Sequence, residues 1–127
     1  MAVIGIEEIF LKVRDMDKAI EFYNGILGIP LDMQDEERTY LQMDRGYLVL
    51  QIENNTGRHQ GGGPLHFAMT VSEEEFDEIL SKFEGGRFFT RGPYSERGKS
   101  RALFMIDPDG NETEINTRYL YGVPQRA

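Results

Sequence analysis

EIFLKVRDMDKAIEF, residues 8–22, lies without a gap over HFAMTVSEEEFDEIL, residues 66–80, with Val13 opposite Val71. Each stretch opens strand-like and then turns polar and helical, so the chain repeats an architecture even though few residues are identical. In the first copy Glu8, Phe10 and Lys12 alternate with Ile9, Leu11 and Val13, the side-chain period of a strand with one wholly apolar face. In the second copy His66, Ala68 and Thr70 alternate with Phe67, Met69 and Val71. The helix after the first strand, over residues 17–27, sets Met16, Ile20, Tyr23 and Leu27 at helical spacing and ends at Gly28 and Pro30. The second helix carries Phe76, Ile79, Leu80 and Phe83, opens with a Ser72/Glu75 capping box and closes at Gly85-Gly86.

Short strand-like runs separated by turn signals follow each helix. In the first copy they cover residues 31–33, 39–43 and 47–53, with a turn at Asp44-Arg45-Gly46. In the second they cover residues 87–90, 101–106 and 112–116, with a turn at Asp107-Pro108-Asp109-Gly110 whose Pro and Gly fix the hairpin register. Each copy therefore reads β-α-β-β-β. The chain is predicted to be an α+β fold, a single domain of two modules. These span residues 6–53 and 64–116, joined by the Gly-rich linker 54–63 and followed by a tail, 117–127, in which Tyr119-Leu120-Tyr121 could meet a partner subunit.

Composition narrows the function. Against 22 Asp and Glu the 127 residues carry 14 Lys and Arg, a formal charge of −8 that repels phosphate backbones and argues against nucleic acid. There is no cysteine, which excludes disulfides, thiolate metal sites and a cysteine nucleophile. No run approaches the roughly 20 apolar residues of a membrane span, and Glu7 and Glu8 interrupt the N-terminal apolar stretch too early for a signal-peptide core. A cytoplasmic protein that binds neither nucleic acid nor membrane is expected. The Gly61-Gly62-Gly63 run lacks the Lys and hydroxyl of a phosphate loop and reads as linker, with His59 solvated beside it.

With the helix of each module on the apolar side of its strands, the opposite side is free to line a cleft. Glu8 and His66 hold equivalent places on that side, and matching the strand ends pairs Gln51 with Glu114. If the modules pack about a pseudo-twofold axis, Glu8, Gln51, His66 and Glu114 can converge. Two carboxylates about 4 Å apart repel by roughly 4 kcal/mol at an effective dielectric of 20, so a divalent cation, a shared proton or an arginine must offset them. One imidazole, two carboxylates and an amide oxygen suit Mn²⁺, Fe²⁺, Ni²⁺, Mg²⁺ or Zn²⁺, with positions open to a ligand.

The runs VRDMDKAIEFYNGILGIPL, residues 13–31, and FMIDPDGNETEI, residues 104–115, resemble the signatures of the vicinal oxygen chelate superfamily. That superfamily groups glyoxalase I, bleomycin-resistance proteins, extradiol dioxygenases, fosfomycin-resistance enzymes and methylmalonyl-CoA epimerase. The resemblance covers residues 6–116. It implies two paired β-α-β-β-β modules whose curved mixed sheets form a cup around a metal, commonly in a homodimer. It also implies ligands from the first and last strand of each module, here Glu8, Gln51, His66 and Glu114. Glu8 departs from the pattern, since many catalytic members have His there, and the departure weighs most against the dioxygenases.

The leading expectation is a metal-dependent enzyme of glyoxalase type, a lyase or isomerase. It would act on a small substrate with two neighbouring oxygens, with Glu114 as ligand and base and Glu8 or Glu53 as the other carboxylate. Glu112 reads as an ordinary solvent-facing strand residue. The alternative is a non-catalytic protein of bleomycin-resistance type that holds a drug or metabolite between Phe10, Tyr40, Tyr47 and Tyr94; a regulatory module is a third. The stretch from Arg87 to Arg101 sets Arg87, Arg91, Arg97, Lys99 and Arg101 against Glu96 alone. A solvated loop accounts for that, or a mouth for an anionic substrate with Tyr94 and Arg101 at its edge.

Overall fold

In a computed structural model of the chain, the described residues are 6–53, 65–83, 88, 90–96 and 100–117. The chain divides into two compact units, Met1–Gly62 and Gly63–Ala127. The linker, Gly85-Gly86 and the Tyr119-Leu120-Tyr121 tail lie outside the described residues, as do Arg87, Arg97 and Lys99.

Unit one contains β1 (Glu8–Val13), α1 (Met16–Ile20), a π-helical stretch (Glu21–Ile26), β2 (Leu31–Gln34), β3 (Arg38–Gln42) and β4 (Tyr47–Ile52). Its sheet runs β1-β4-β3-β2, with β1 parallel to β4 and the other pairs antiparallel. Asp15 caps α1 by accepting from the Lys18 N–H at 3.1 Å. The sequence predicts one α-helix over residues 17–27, but past Ile20 it widens. Leu27 N–H bonds to Phe22 O and Ile29 N–H to Tyr23 O. The wider turn lets the consecutive Phe22 and Tyr23 both be fully buried, packed edge to face at 4.9 Å. They join Leu11, Val13, Leu41, Leu48 and Leu50 in the core of this unit.

Unit two repeats the plan with β5 (His66–Thr70), α2 (Glu73–Lys82), β6 (Thr90–Glu96), β7 (Ser100–Ile106) and β8 (Glu112–Asn116). The sheet runs β5-β8-β7-β6, and β5 is parallel to β8. Ser72 caps α2 by accepting from Glu75 N–H at 3.1 Å, half of the expected box, and its hydroxyl donates to the Glu75 carboxylate at 3.2 Å. Phe76, Ile79 and Phe83 are buried with Leu103, Met105 and Ile115. Each unit is thus a mixed four-stranded sheet with helix on one side.

The second strand of this unit, β6, departs from expectation. It begins at Thr90 and runs through the basic stretch to Glu96, which reads from sequence as a loop. Gly92-Pro93 looks like a turn signal, but β6 is an edge strand and absorbs the pair as a register shift between Arg91 and Tyr94, with Gly92 at φ 102°.

Candidate functional site

The face of the unit-two sheet away from α2 is set by strand parity. His66, Ala68 and Thr70 on β5 share it with Glu112, Glu114 and Asn116 on β8 and with Ala102, Phe104 and Ile106 on β7, as the pairings His66 with Glu112 and Phe104 with Glu114 require. Arg91 on β6 pairs with Phe104 and joins the same face.

The start of this site is anchored by the β7–β8 turn. The buried Asp107 carboxylate accepts from the N–H groups of Asp109 and Asn111 at 2.9 and 2.8 Å and from the Asn111 side chain at 2.8 Å. Asn111 in turn accepts from the Leu65 N–H at 2.8 Å, so the turn also fixes where β5 begins and hence where His66 stands.

His66 Nδ1 bonds to a Glu112 oxygen, and His66 Nε2 faces Glu114 Oε1 at 3.8 Å. Glu112 also accepts from Arg91 at 3.2 Å, and the two cationic or proton-donating partners hold its carboxyl below the ordinary carboxylate range, His66 the larger cause. The Arg91 guanidinium lies 4.1 Å above the Phe104 ring, and the His66 ring stacks on the same phenyl at 6.1 Å. Tyr94 completes the wall, 6.1 Å from Phe104 and 45% exposed. Glu114 is buried, 6% exposed, with its second oxygen accepting from Asn116 at 3.1 Å.

The imidazole and the C-terminal carboxylate of the repeat are therefore neighbours on one face of unit two. A separation of 3.8 Å is too long for a hydrogen bond, so the imidazole nitrogen and the carboxylate oxygen are close neighbours that do not bond directly. An imidazole whose other nitrogen is held by a carboxylate, beside a second carboxylate, fits a divalent cation in donor chemistry. These two are a partial set. Among the described residues no group of three or more His, Asp or Glu is gathered to hold a metal ion.

Unit one departs from the expected equivalence. Glu8 pairs with Tyr47 as His66 pairs with Glu112, so Tyr47 matches Glu112, Val49 matches Glu114, and Gln51 matches Asn116. Matching strand ends in the sequence puts Gln51 two residues out of place. Gln51 lies four positions beyond the partner of Glu8, about 13 Å along the strands. Its register partner is Lys12, and its amide oxygen accepts from Arg38 Nε at 3.4 Å. Two cationic residues on its own face make that oxygen a poor cation ligand.

The other expected residues are placed as follows. Glu8 is exposed at the start of β1, and Phe10, half-buried, shares its face. Tyr47 donates to Asp32 at 2.9 Å and meets Tyr40 edge to face at 5.9 Å. Glu53 is exposed just past β4, its N–H bonded to Val13 O. Arg101, expected at the mouth, is on the opposite side of its sheet from Tyr94 and His66. It bonds to Glu73 at 3.0 Å and Asp77 at 2.8 Å and covers the Phe76 ring at 4.4 Å, so it fastens α2 to β7. Phe104 and Asn111 are given no role from the sequence, Arg91 appears there only within the basic stretch, and Glu112 only as a solvent-facing strand residue. Parity was the available signal for Glu112, because it shares a face with Glu114.

The family model for the Glyoxalase/Bleomycin resistance protein/Dioxygenase superfamily matches residues 5–115. The chain is 27% identical over 119 residues to the metallothiol transferase FosB of Lysinibacillus sphaericus, covering 92% of this chain and 84% of that protein. It is 30% identical over 118 residues to a probable chloroplastic lactoylglutathione lyase of Arabidopsis thaliana, covering 84% of this chain and 34% of the plant protein. Among solved structures, the lactoylglutathione lyase of Agrobacterium tumefaciens superposes with a TM-score of 0.75 at 23% identity, over 97% of this chain and all of that one. The fosfomycin resistance protein FosX of Mesorhizobium loti does so at 0.68 and 15%, over 94% and 96% of the two chains; both likenesses bear on the fold. No helix among the described residues is long and apolar enough to cross a membrane.

Proposed function

Because the chain belongs to the Glyoxalase/Bleomycin resistance protein/Dioxygenase superfamily, we propose that it is a glyoxalase-like vicinal oxygen chelate metalloenzyme acting on a small substrate with two neighbouring oxygens. The observation that carries the reading is the approach of His66 Nε2 to Glu114 Oε1 on a face where the other imidazole nitrogen is already engaged.

His66 and Glu114 would hold the ion, which supplies Lewis-acid stabilisation of negative charge developing on the substrate oxygens. Glu114 is buried on the face that His66 and Phe104 share, which places its carboxylate to accept a substrate proton when it is not engaged as a ligand. Phe104 and Tyr94 offer an apolar wall beside that carboxylate, against which a small substrate can stack and exclude water. Arg91 brings positive charge to the same face, so an anionic substrate group is favoured there. Glu8 is the further carboxylate that the resemblance puts forward. Homodimer assembly belongs to the reading on the resemblance alone, and a cytoplasmic setting on the sequence expectation alone.

Lyase chemistry is the leading activity, and the metallothiol transferase relatives make thiol transfer the runner-up. Metal analysis of protein purified without chelator or a nickel column is expected to find a bound divalent ion in the native chain. His66→Ala and Glu114→Ala should each lose it. Turnover of a methylglyoxal–thiol adduct by the metallated protein identifies the lyase; no turnover rules that activity out and moves the assay to consumption of free thiol. Metal-free protein that binds small aromatics tightly overturns the enzyme in favour of the binding protein.

A further inference from the structure

The unit-two face holds a carboxylate that neither the repeat nor the resemblance singles out. Glu112 is the register partner of His66, bonds to its Nδ1, and is itself bonded by Arg91, whose guanidinium is seated on Phe104. A carboxylate oxygen can only accept, so in the neutral ring Nδ1 must carry the proton and the lone pair must lie on Nε2. Nε2 is the nitrogen that faces Glu114. The ring is also stacked on Phe104, which restrains its plane, while the Glu112 bond sets its tautomer.

We propose that Glu112, braced by Arg91, is the positioning residue that holds the His66 imidazole with its Nε2 lone pair presented toward Glu114. This rests on the metal reading for its purpose but not for its geometry. The side-chain exposures fit the division of labour. His66 is 51% exposed and would turn freely without a second anchor, while Glu112, at 32%, is pinned between two partners. Arg91 contributes by bonding the Glu112 carboxylate at 3.2 Å from its seat on Phe104, which aims the carboxylate, and it need not touch substrate or ion to do so.

The test uses the ¹⁵N-labelled full chain and reads ring tautomers from long-range ¹H–¹⁵N correlations at alkaline pH without metal. The chain has two histidines, and His59→Gln assigns them. In the native chain His66 is expected as the Nδ1–H form. Glu112→Gln retains an acceptor oxygen and should keep that form. Glu112→Ala should shift the ring toward Nε2–H, and Arg91→Ala should do so in part. Zn²⁺ titration of the same proteins should then show about 10–100-fold weaker binding for Glu112→Ala, with substantial rescue by Glu112→Gln. An unchanged tautomer in Glu112→Ala overturns the proposal. If the native chain binds no Zn²⁺, the metalloenzyme reading falls, and the tautomer spectra still decide the role of Glu112.

Discussion

The Glu114 carboxylate is 6% exposed and lies 3.8 Å from the His66 imidazole, and its strand neighbour on the same face, Glu112, is a second carboxylate. Two carboxylates side by side on one strand face repel each other, a cost that the metal-free fold carries. Glu114→Gln keeps the shape and the oxygen that Asn116 bonds. The variant is expected to melt at or above the native temperature without metal, by up to about 1 kcal/mol or roughly 4 °C, yet to bind divalent ions at least tenfold more weakly. Calorimetry and metal titration on the same sample check both halves. A clear loss of stability would show that the carboxylate serves the fold instead.

Arg101 offers the opposite test. Its guanidinium joins Glu73 and Asp77 of α2 to β7 and covers Phe76, and the Asp77 bond is the first cause that raises its pKa above the ordinary arginine value. Arg101→Ala should lower stability by about 1–3 kcal/mol in denaturant titration while leaving metal affinity within twofold of native. A large change in metal or substrate binding with stability intact would return Arg101 to the site.

Gly46 closes the β3–β4 turn at φ 90°, and a Cβ built there would fall 2.3 Å from the Glu7 carbonyl oxygen, which accepts from the Tyr47 N–H at 2.8 Å. Neither the backbone conformation nor the close approach admits a side chain. Gly46→Ala is expected to cost about 2 kcal/mol or more and to displace the start of β1, where Glu8 stands. Urea unfolding gives the loss; a midpoint within error of native would contradict it.

The repeat was legible because its signal is binary: apolar residues every second position in β1 and β5, and every third or fourth in α2, survive low identity. The same parity puts His66 and Glu114 on one face. Parity also puts Arg101 with Leu103 and Met105 on the helix side, a placement outweighed by the charge pattern of the basic stretch; it puts Glu112 on the face of Glu114, but a shared face does not reveal the bond from Glu112 to His66. The displacement of Gln51 was not legible. Which residue of β4 lies beside Glu8 is decided by the Glu7 carbonyl meeting the Tyr47 N–H, a contact between distant segments that strand ends do not encode. Likewise β6 carries Gly92-Pro93, a turn signal that becomes a strand only because an edge can absorb a bulge.

Tyr47 fills in unit one the place that Glu112 fills in unit two, and its phenol donates to Asp32 at 2.9 Å. That hydrogen bond, foremost, and the negative charges of Asp32, Glu8 and Glu7 raise its pKa above 10.0. The neutral phenol is the bonded form, so its contribution to stability is complete below the unfolded value near 10 and is lost as pH rises through the higher folded value. The difference in tyrosinate absorbance between the native chain and Tyr47→Phe should show the Tyr47 phenol ionising above the ordinary tyrosine range. Asp32→Asn removes the anionic acceptor and should bring that titration back toward the ordinary tyrosine range. Tyr47→Phe should delete it from the curve altogether. A difference curve centred in the ordinary tyrosine range, or one that Asp32→Asn leaves unmoved, would leave the Asp32 bond without the consequence claimed for it.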